Sequence, residues 1–208
     1  AVNPANIMGV TKYIAEMMVQ SYNRNTQTRF MTVRFGNVLG SAGSVIPIFK
    51  KQIAQGGPVT VTDRKIERFF MTIQESVQLI LQSGCMGVGG EIFVLDMGKP
   101  VNILSLAEKL ITLSGKWPHD DIEITFEGLR PGEKMYEELF NKEEQRMETD
   151  HPRIMVAISE SVDTEFMEKE IEQISQFVKK RDEEALKNKF KELVTGYQFE
   201  PPILHYGN

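Results

Sequence analysis

The sequence predicts an α/β fold, part of a parallel sheet joined to a small α/β lobe. Short runs rich in β-formers, Arg29–Arg34, Val59–Thr62, Glu91–Asp96 and Ile122–Phe126, alternate with segments of helical periodicity. The first strand leaves through Phe35-Gly-Asn-Val-Leu-Gly40 into a helix-opening Ser41-Ala-Gly-Ser44. Open α/β sheets hold their ligands at such carboxyl ends. No Gly-x-Gly-x-x-Gly follows any strand, although a dinucleotide-binding sheet cradles pyrophosphate with that turn. The chain also opens abruptly at a helix, so the expectation is the C-terminal part of a longer enzyme whose N-terminal nucleotide-binding half is missing.

At 208 residues the chain suits one domain of ordinary size, or a domain and a lobe. It is 41% apolar and 25% charged, enough for a packed core. A net charge of −5 argues against a nucleic-acid surface. The basic clusters Lys50-Lys51 and Lys179-Lys180-Arg181 read as solvated helix faces. Cys85, the only cysteine, excludes an intrachain disulfide and fits a reducing, cytoplasmic compartment. With three scattered histidines beside it, no metal-ligand spacing exists. No apolar run reaches the ~18 residues of a membrane helix, and no signal peptide is evident.

Along the chain, Asn3 and Pro4 read as N-cap and first helical residue of a helix carrying Ile7, Met8, Val10, Ile14, Met17 and Met18. Met8 and Lys12 then share a face, a turn apart. On their own they read as core filling and a solvated end. After the first strand Asn37 stands at the ligand end of the sheet. Val45–Phe49 opens a helix whose free N–H groups, behind Gly43 and Ser44, favour an anion; a plain strand–turn–helix is the alternative. Thr72-x-x-Glu75 is a capping box for a helix through Leu81. Arg68, ahead of Phe69-Phe70, suits a phosphate clamp or an ion pair with Glu67 or Glu75. Ile103–Ile111 forms an amphipathic helix ending near Gly115. Arg130 precedes a Pro-Gly turn expected to start a helix; with Arg68 it could neutralise a diphosphate, while Glu133 could accept bonds from a diol. A capped surface helix would carry similar residues. Beyond Arg153–Ile158 the chain turns helical and charged. Met167, Ile171, Ile174, Val178, Leu186, Phe190, Leu193 and Val194 make a core or docking stripe, and the tail Gln198–Tyr206 is expected to be extended.

Met8-x-x-x-Lys12 behind Asn-Pro resembles the Tyr-x-x-x-Lys helix of extended short-chain dehydrogenase/reductases, with Met in the Tyr position. One branch has that pattern: the nucleotide-sugar 4,6-dehydratases and epimerases of bacterial capsule and glycan synthesis. The motifs NPANIMGVTK, VRFGNVLGSAGSVIPIFKKQI, ERFFMTIQESVQLIL, GEIFVLDMGKPV and GLRPGEKMYEEL extend the resemblance over residues 1–158, in order. It implies the C-terminal portion of a Rossmann-like catalytic domain in 1–158, with 159–208 left as a charged helical extension.

The implied activity is that of an NAD-dependent UDP-N-acetylglucosamine 4,6-dehydratase. A UDP-sugar 4-epimerase of the same branch, or a UDP-sugar-binding module without chemistry, are the alternatives. Lys12 would hold the nicotinamide ribose, with Phe35 and Asn37 beside the cofactor, and Met8 could only shape the pocket. Asn37, Ser44 and Val45 would line the sugar diphosphate, Thr60 the uracil, Arg68 and Arg130 the phosphates, Glu133 the ribose. In the family a Thr-Asp-Lys run with acid/base function directly precedes Ala1. Arg64-Lys-Ile-Glu67 departs from the usual Pro-x-x-Thr before Arg-Phe-Phe, and a negative Glu67 beside a phosphate clamp is unhelpful unless it points outward. The implied partners are a UDP-linked N-acetylhexosamine, the missing N-terminal half and a second copy of the chain. The Gly-Ser-x-Gly-Ser run looks most like long members anchored at the cytoplasmic face of the inner membrane.

Overall fold

The computed structural model describes residues 2–23, 26–41, 43–142, 144–159 and 162–197; the expected extended tail, Gln198–Tyr206, lies outside them. The chain runs α1 (Ile7–Tyr22), β1 (Thr32–Arg34), β2 (Asn37–Val38), α2 (Val45–Ala54), β3 (Val59–Val61), β4 (Glu67–Arg68), β5 (Phe70–Met71), α3 (Ile73–Met86) and β6 (Ile92–Leu95). It continues through β7 (Val101–Asn102), α4 (Ile103–Leu113), β8 (Ile124–Phe126), β9 (Gln145–Glu148), β10 (Ile154–Ile158), α5 (Thr164–Lys180) and α6 (Glu183–Leu193). Two compact units result: residues 1–34, 80–96 and 138–208 form the first, 35–79 and 97–137 the second.

The first unit is built on a sheet of order β1-β6-β10-β9, in which β1 and β6 are parallel and β10 runs antiparallel to both β6 and β9. All four residues of β6 are buried, as expected of a strand paired on both edges. The fully exposed β9 closes one edge with Gln, Arg, Met and Glu, which discourages further pairing. Helices α1, α5 and α6 share a core of Val10, Ile14, Met167, Phe190, Leu193, Val194 and Tyr197. Most of the stripe on the C-terminal helices is therefore core, packed against the helix that carries Met8 and Lys12, while Val178 is exposed.

Helix α1 begins later than the sequence suggests. Asn6, not Asn3, is the N-cap, its side chain accepting the Gly9 N–H at 2.8 Å. Asn3 sits at φ 42°, a left-handed conformation that Asn tolerates. Its N–H donates to Asn141 Oδ1 (3.1 Å) and its Nδ2 to Glu138 Oε2 (3.1 Å). Pro4 packs over the first turn so closely that a Cβ on Gly9 would lie 2.9 Å from the Pro4 Cβ.

The second unit holds three two-stranded pairings: β2 with β5 and β3 with β8 in parallel, β4 with β7 antiparallel. Helices α2 and α4 supply Phe49, Ile53, Ile103, Ala107 and Ile111 to a core completed by Val59, Val61, Ile66, Ile122 and Ile124. Phe35–Gly40 is not a plain turn, because Asn37 and Val38 pair with Phe70 and Met71. That pairing brings Gly36 so near Phe69 that a Cβ would lie 2.9 Å from the Phe69 Cβ. The capping box forms: Glu75 N–H donates to Thr72 Oγ1 (3.1 Å) and Thr72 N–H to Glu75 Oε2 (2.9 Å). Helix α3 runs past Leu81 to Met86 and passes from the second unit into the first.

The helix expected after Pro131-Gly132 does not form; no helix lies between Leu113 and Thr164 among the described residues. Tertiary bonds override its helical propensity. Met135 O accepts from Glu67 N–H (3.2 Å), and the Glu133 and Glu137 side chains turn to partners on β2 and β4.

Candidate functional site

In the first unit, Met8 and Lys12 lie one turn apart on α1, both exposed, with Met8 at 65%. Met8 is therefore not core filling. Tyr13, beside Lys12, is half-buried; burial, then the Glu16 and Glu144 charges, push its hydroxyl above the ordinary value of 10.0.

Sequence reasoning missed the buried ion cluster of this unit. Arg34, on β1, donates from Nε to Glu16 Oε2 (2.7 Å) and from Nη2 to Glu16 Oε1 (2.5 Å) on α1. It also donates to both Glu144 oxygens at 2.8 Å. Glu144 in turn accepts the Asn141 N–H and Nδ2 at 2.8 Å, and Asn141 holds Asn3. Burial opposes the Arg34 charge, but these bonds outweigh it and raise the guanidinium above its ordinary value. The available signal was a Glu on the apolar face of α1 and an Arg ending an apolar strand.

In the second unit the structure gathers Asn37, Arg68, Glu133 and the unforeseen Glu137. Arg68 donates from Nη1 to the carbonyls of Glu67 (2.8 Å) and Met135 (3.2 Å), and from Nη2 to Glu133 Oε1 (3.2 Å). Its Nε lies 3.8 Å from Glu137 Oε1. Neither expected carboxylate is used: Glu75 serves the capping box, and Glu67 offers Arg68 its backbone carbonyl. Glu133 also accepts from Thr62 Oγ1 (3.4 Å) and Arg130 N–H (3.1 Å), while the Arg130 guanidinium is exposed. Glu137 accepts from Asn37 Nδ2 (2.9 Å) and Phe69 N–H (3.0 Å). Two glutamates four residues apart behind an Arg-Pro-Gly turn, Glu133 and Glu137, were the legible sign of this cluster.

Other expected residues stand apart from it. Thr60 is tied to Gln52, whose Nε2 donates to its hydroxyl (2.8 Å) and whose Oε1 accepts its N–H (3.2 Å). Ser44 is the N-cap of α2 but makes no capping bond, and its buried hydroxyl oxygen has no partner among the described residues; Val45 follows as the first helical residue. Phe35 is half-buried just ahead of β2.

Residues 1–159 match the family described as polysaccharide biosynthesis protein. The chain belongs to that family. CapD, a capsular polysaccharide biosynthesis protein of Staphylococcus aureus, is 63% identical over 145 residues, covering 69% of this chain and 24% of CapD. A UDP-N-acetylglucosamine 4,6-dehydratase (inverting) of Campylobacter jejuni is 35% identical over 151 residues, 71% of the chain and 42% of the dehydratase. The chain thus spans about a quarter of one relative and under half of the other. The solved structure of Pen from Bacillus thuringiensis superposes with a TM-score of 0.69 at 37% identity, over 79% of the chain and 52% of Pen. The fold is the short-chain dehydrogenase/reductase type expected of the family. Among the described residues no helix is long and apolar enough to cross a membrane.

Proposed function

We propose that this chain is the nucleotide-sugar-gripping portion of an NAD-dependent UDP-N-acetylglucosamine 4,6-dehydratase of bacterial surface polysaccharide synthesis. The carrying observation is the cluster in which Arg68, braced by two backbone carbonyls, sits with Asn37 and Glu133 beside the exposed Arg130. Arg68 and Arg130 bind the diphosphate, and Arg68 exchanges the Glu133 carboxylate for phosphate oxygen as it does so. Glu133, released, accepts from the ribose hydroxyls. Thr60, held by Gln52, flanks the uracil, and the unpartnered Ser44 hydroxyl with the α2 N-terminus at Val45 meets the sugar diphosphate.

Bound NAD supplies hydride uptake from C4 and its return at C6. Lys12, exposed on α1, would hold the nicotinamide ribose, and Phe35 and Asn37 are the other residues proposed to bind NAD; no Gly-x-Gly-x-x-Gly for the pyrophosphate occurs in this sequence. The Lys12 ammonium lowers the pKa of the sugar hydroxyl that must lose its proton. Met8 has no proton to exchange, so elimination of water draws its acid and base from other groups.

Supplied with UDP-N-acetylglucosamine and NAD, the enzyme that contains this chain is expected to release a 4-keto-6-deoxy sugar, identified by mass and by NMR. A product retaining its C6 hydroxyl but inverted at C4 assigns the epimerase activity instead. The 208-residue chain alone is expected to bind UDP without turnover, and turnover by it refutes the assignment as a portion of a site.

A further inference from the structure

We infer that Glu137 is a positioning residue that fixes which way the Asn37 carboxamide faces, making Asn37 a hydrogen-bond acceptor toward the sugar of its ligand. The inference rests on the nucleotide-sugar reading above. A carboxamide carries two N–H donors on nitrogen and an acceptor on oxygen. Asn37 Nδ2 donates to Glu137 Oε1 (2.9 Å) and to Phe69 O (3.1 Å). An ionised carboxylate and a backbone carbonyl can only accept. Turning the amide over would set its oxygen against both, so the chemistry of the neighbours assigns the orientation.

Glu137 is itself held at both oxygens. Oε2 accepts the Phe69 N–H (3.0 Å), and Oε1 faces Arg68 Nε at 3.8 Å as well as Asn37. The Asn37 backbone N–H also donates to Phe69 O (3.0 Å), so main chain and side chain are stapled to the same peptide. Both Asn37 side-chain N–H groups are consumed. The polar atom left is Oδ1, which meets no donor among the described residues and is not sealed from solvent.

A ligand atom that meets Oδ1 must bring a proton. The diphosphate of a nucleotide sugar carries none at neutral pH, whereas sugar hydroxyls and an acetamido N–H do. Asn37 therefore reads the sugar and leaves the phosphates to the arginines, a narrower role than lining the whole sugar diphosphate. Glu137→Gln removes one of the two constraints, because a glutamine whose oxygen keeps the Phe69 N–H turns its own N–H toward Asn37 and no longer accepts from Nδ2.

The test is calorimetric titration of UDP and of UDP-N-acetylglucosamine into the protein and its Glu137→Gln variant. Both ligands carry a diphosphate, in UDP with one further ionisable oxygen, so a change at Arg68 moves both affinities in the same direction, whereas loss of an acceptor for the sugar weakens the sugar nucleotide alone. The preference for the sugar nucleotide over UDP is expected to fall about tenfold in the variant. An unchanged ratio overturns the inference. Failure of the unmodified protein to bind either nucleotide overturns the nucleotide-sugar reading and the inference with it. Without any ligand, side-chain amide NMR should show both Asn37 Nδ2 protons protected from exchange, with the protection of the proton that meets Glu137 lost in Glu137→Gln; unprotected protons in the unmodified protein, or full protection of both in the variant, also overturn it.

Discussion

Arg34 is buried between two carboxylates, its side chain 7% exposed and those of Glu16 and Glu144 7% and 6%. Arg34→Met would leave both acids facing each other with no cation. That should destabilise the protein by about 3–5 kcal/mol, read from urea unfolding. The same cluster sets a pH dependence. Burial alone would push the Glu144 carboxyl up, but the Arg34 hydrogen bonds, helped by Asn141, hold it below its ordinary value of 4.5. A depressed carboxylate contributes stability that is present above its unfolded pKa and lost as pH falls through the folded one. Thermal stability should therefore drop as pH falls below about 4.5, and less steeply in Arg34→Met. On the alkaline side Tyr13, its hydroxyl raised chiefly by burial, favours the folded state only while protonated, so stability also falls as pH climbs past 10.0. At the candidate ligand site, Arg130→Ala should weaken UDP binding roughly tenfold by removing a charge-assisted bond, measured by calorimetry.

Helix α1 owes its start to one side chain. Asn6→Ala removes the acceptor of the Gly9 N–H and should cost about 1 kcal/mol in thermal unfolding, with faster hydrogen exchange at Gly9. A melting curve unchanged by the substitution would remove Asn6 from that role. The segment after Arg130 shows the opposite balance. Glu133-Lys-Met-Tyr-Glu-Glu-Leu139 has good helix formers, yet its bonds to Glu67, Arg68 and Asn37 each reach an element distant in sequence. A helix there could not deliver both carboxylates and the Met135 carbonyl to those partners. The capping box at Thr72 and Glu75 forms as written because all its partners lie within one turn.

The two units have separate cores, and the C-terminal helices belong wholly to the first. Met167 is completely buried beside Val10 and Ile14. Met167→Ala should cost about 2–5 kcal/mol through the cavity it leaves. Hydrogen exchange should localise the loss to α1, α5 and α6, while β3 keeps its protection within the core of α2 and α4. Equal loss of protection in β3 would show that the units unfold as one. Removal of everything after Ile158 should likewise expose the apolar face of α1 and reduce solubility, although the Asn37–Arg68–Glu137 cluster, contained in the second unit, would keep its partners.

Local signals reached a long way in this protein. Apolar periodicity placed α4 and the C-terminal helical stripe, the Gly43-Ser44 turn placed the start of α2, β-former runs placed β3, β6 and β8, and motif order indicated the family and fold. Those features depend on residues within a few positions of one another. The partners of Arg68, the acceptor-only face of Asn37, the Arg34 cluster and the displaced start of α1 depend on groups tens of residues apart: Arg68 on Glu133, Asn37 on Glu137, Arg34 on Glu144, Asn3 on Asn141. A sequence lists every donor and acceptor but not their distances. Hydrogen bonds and ion pairs act only over a few ångströms, so the tertiary structure alone chose which of them meet.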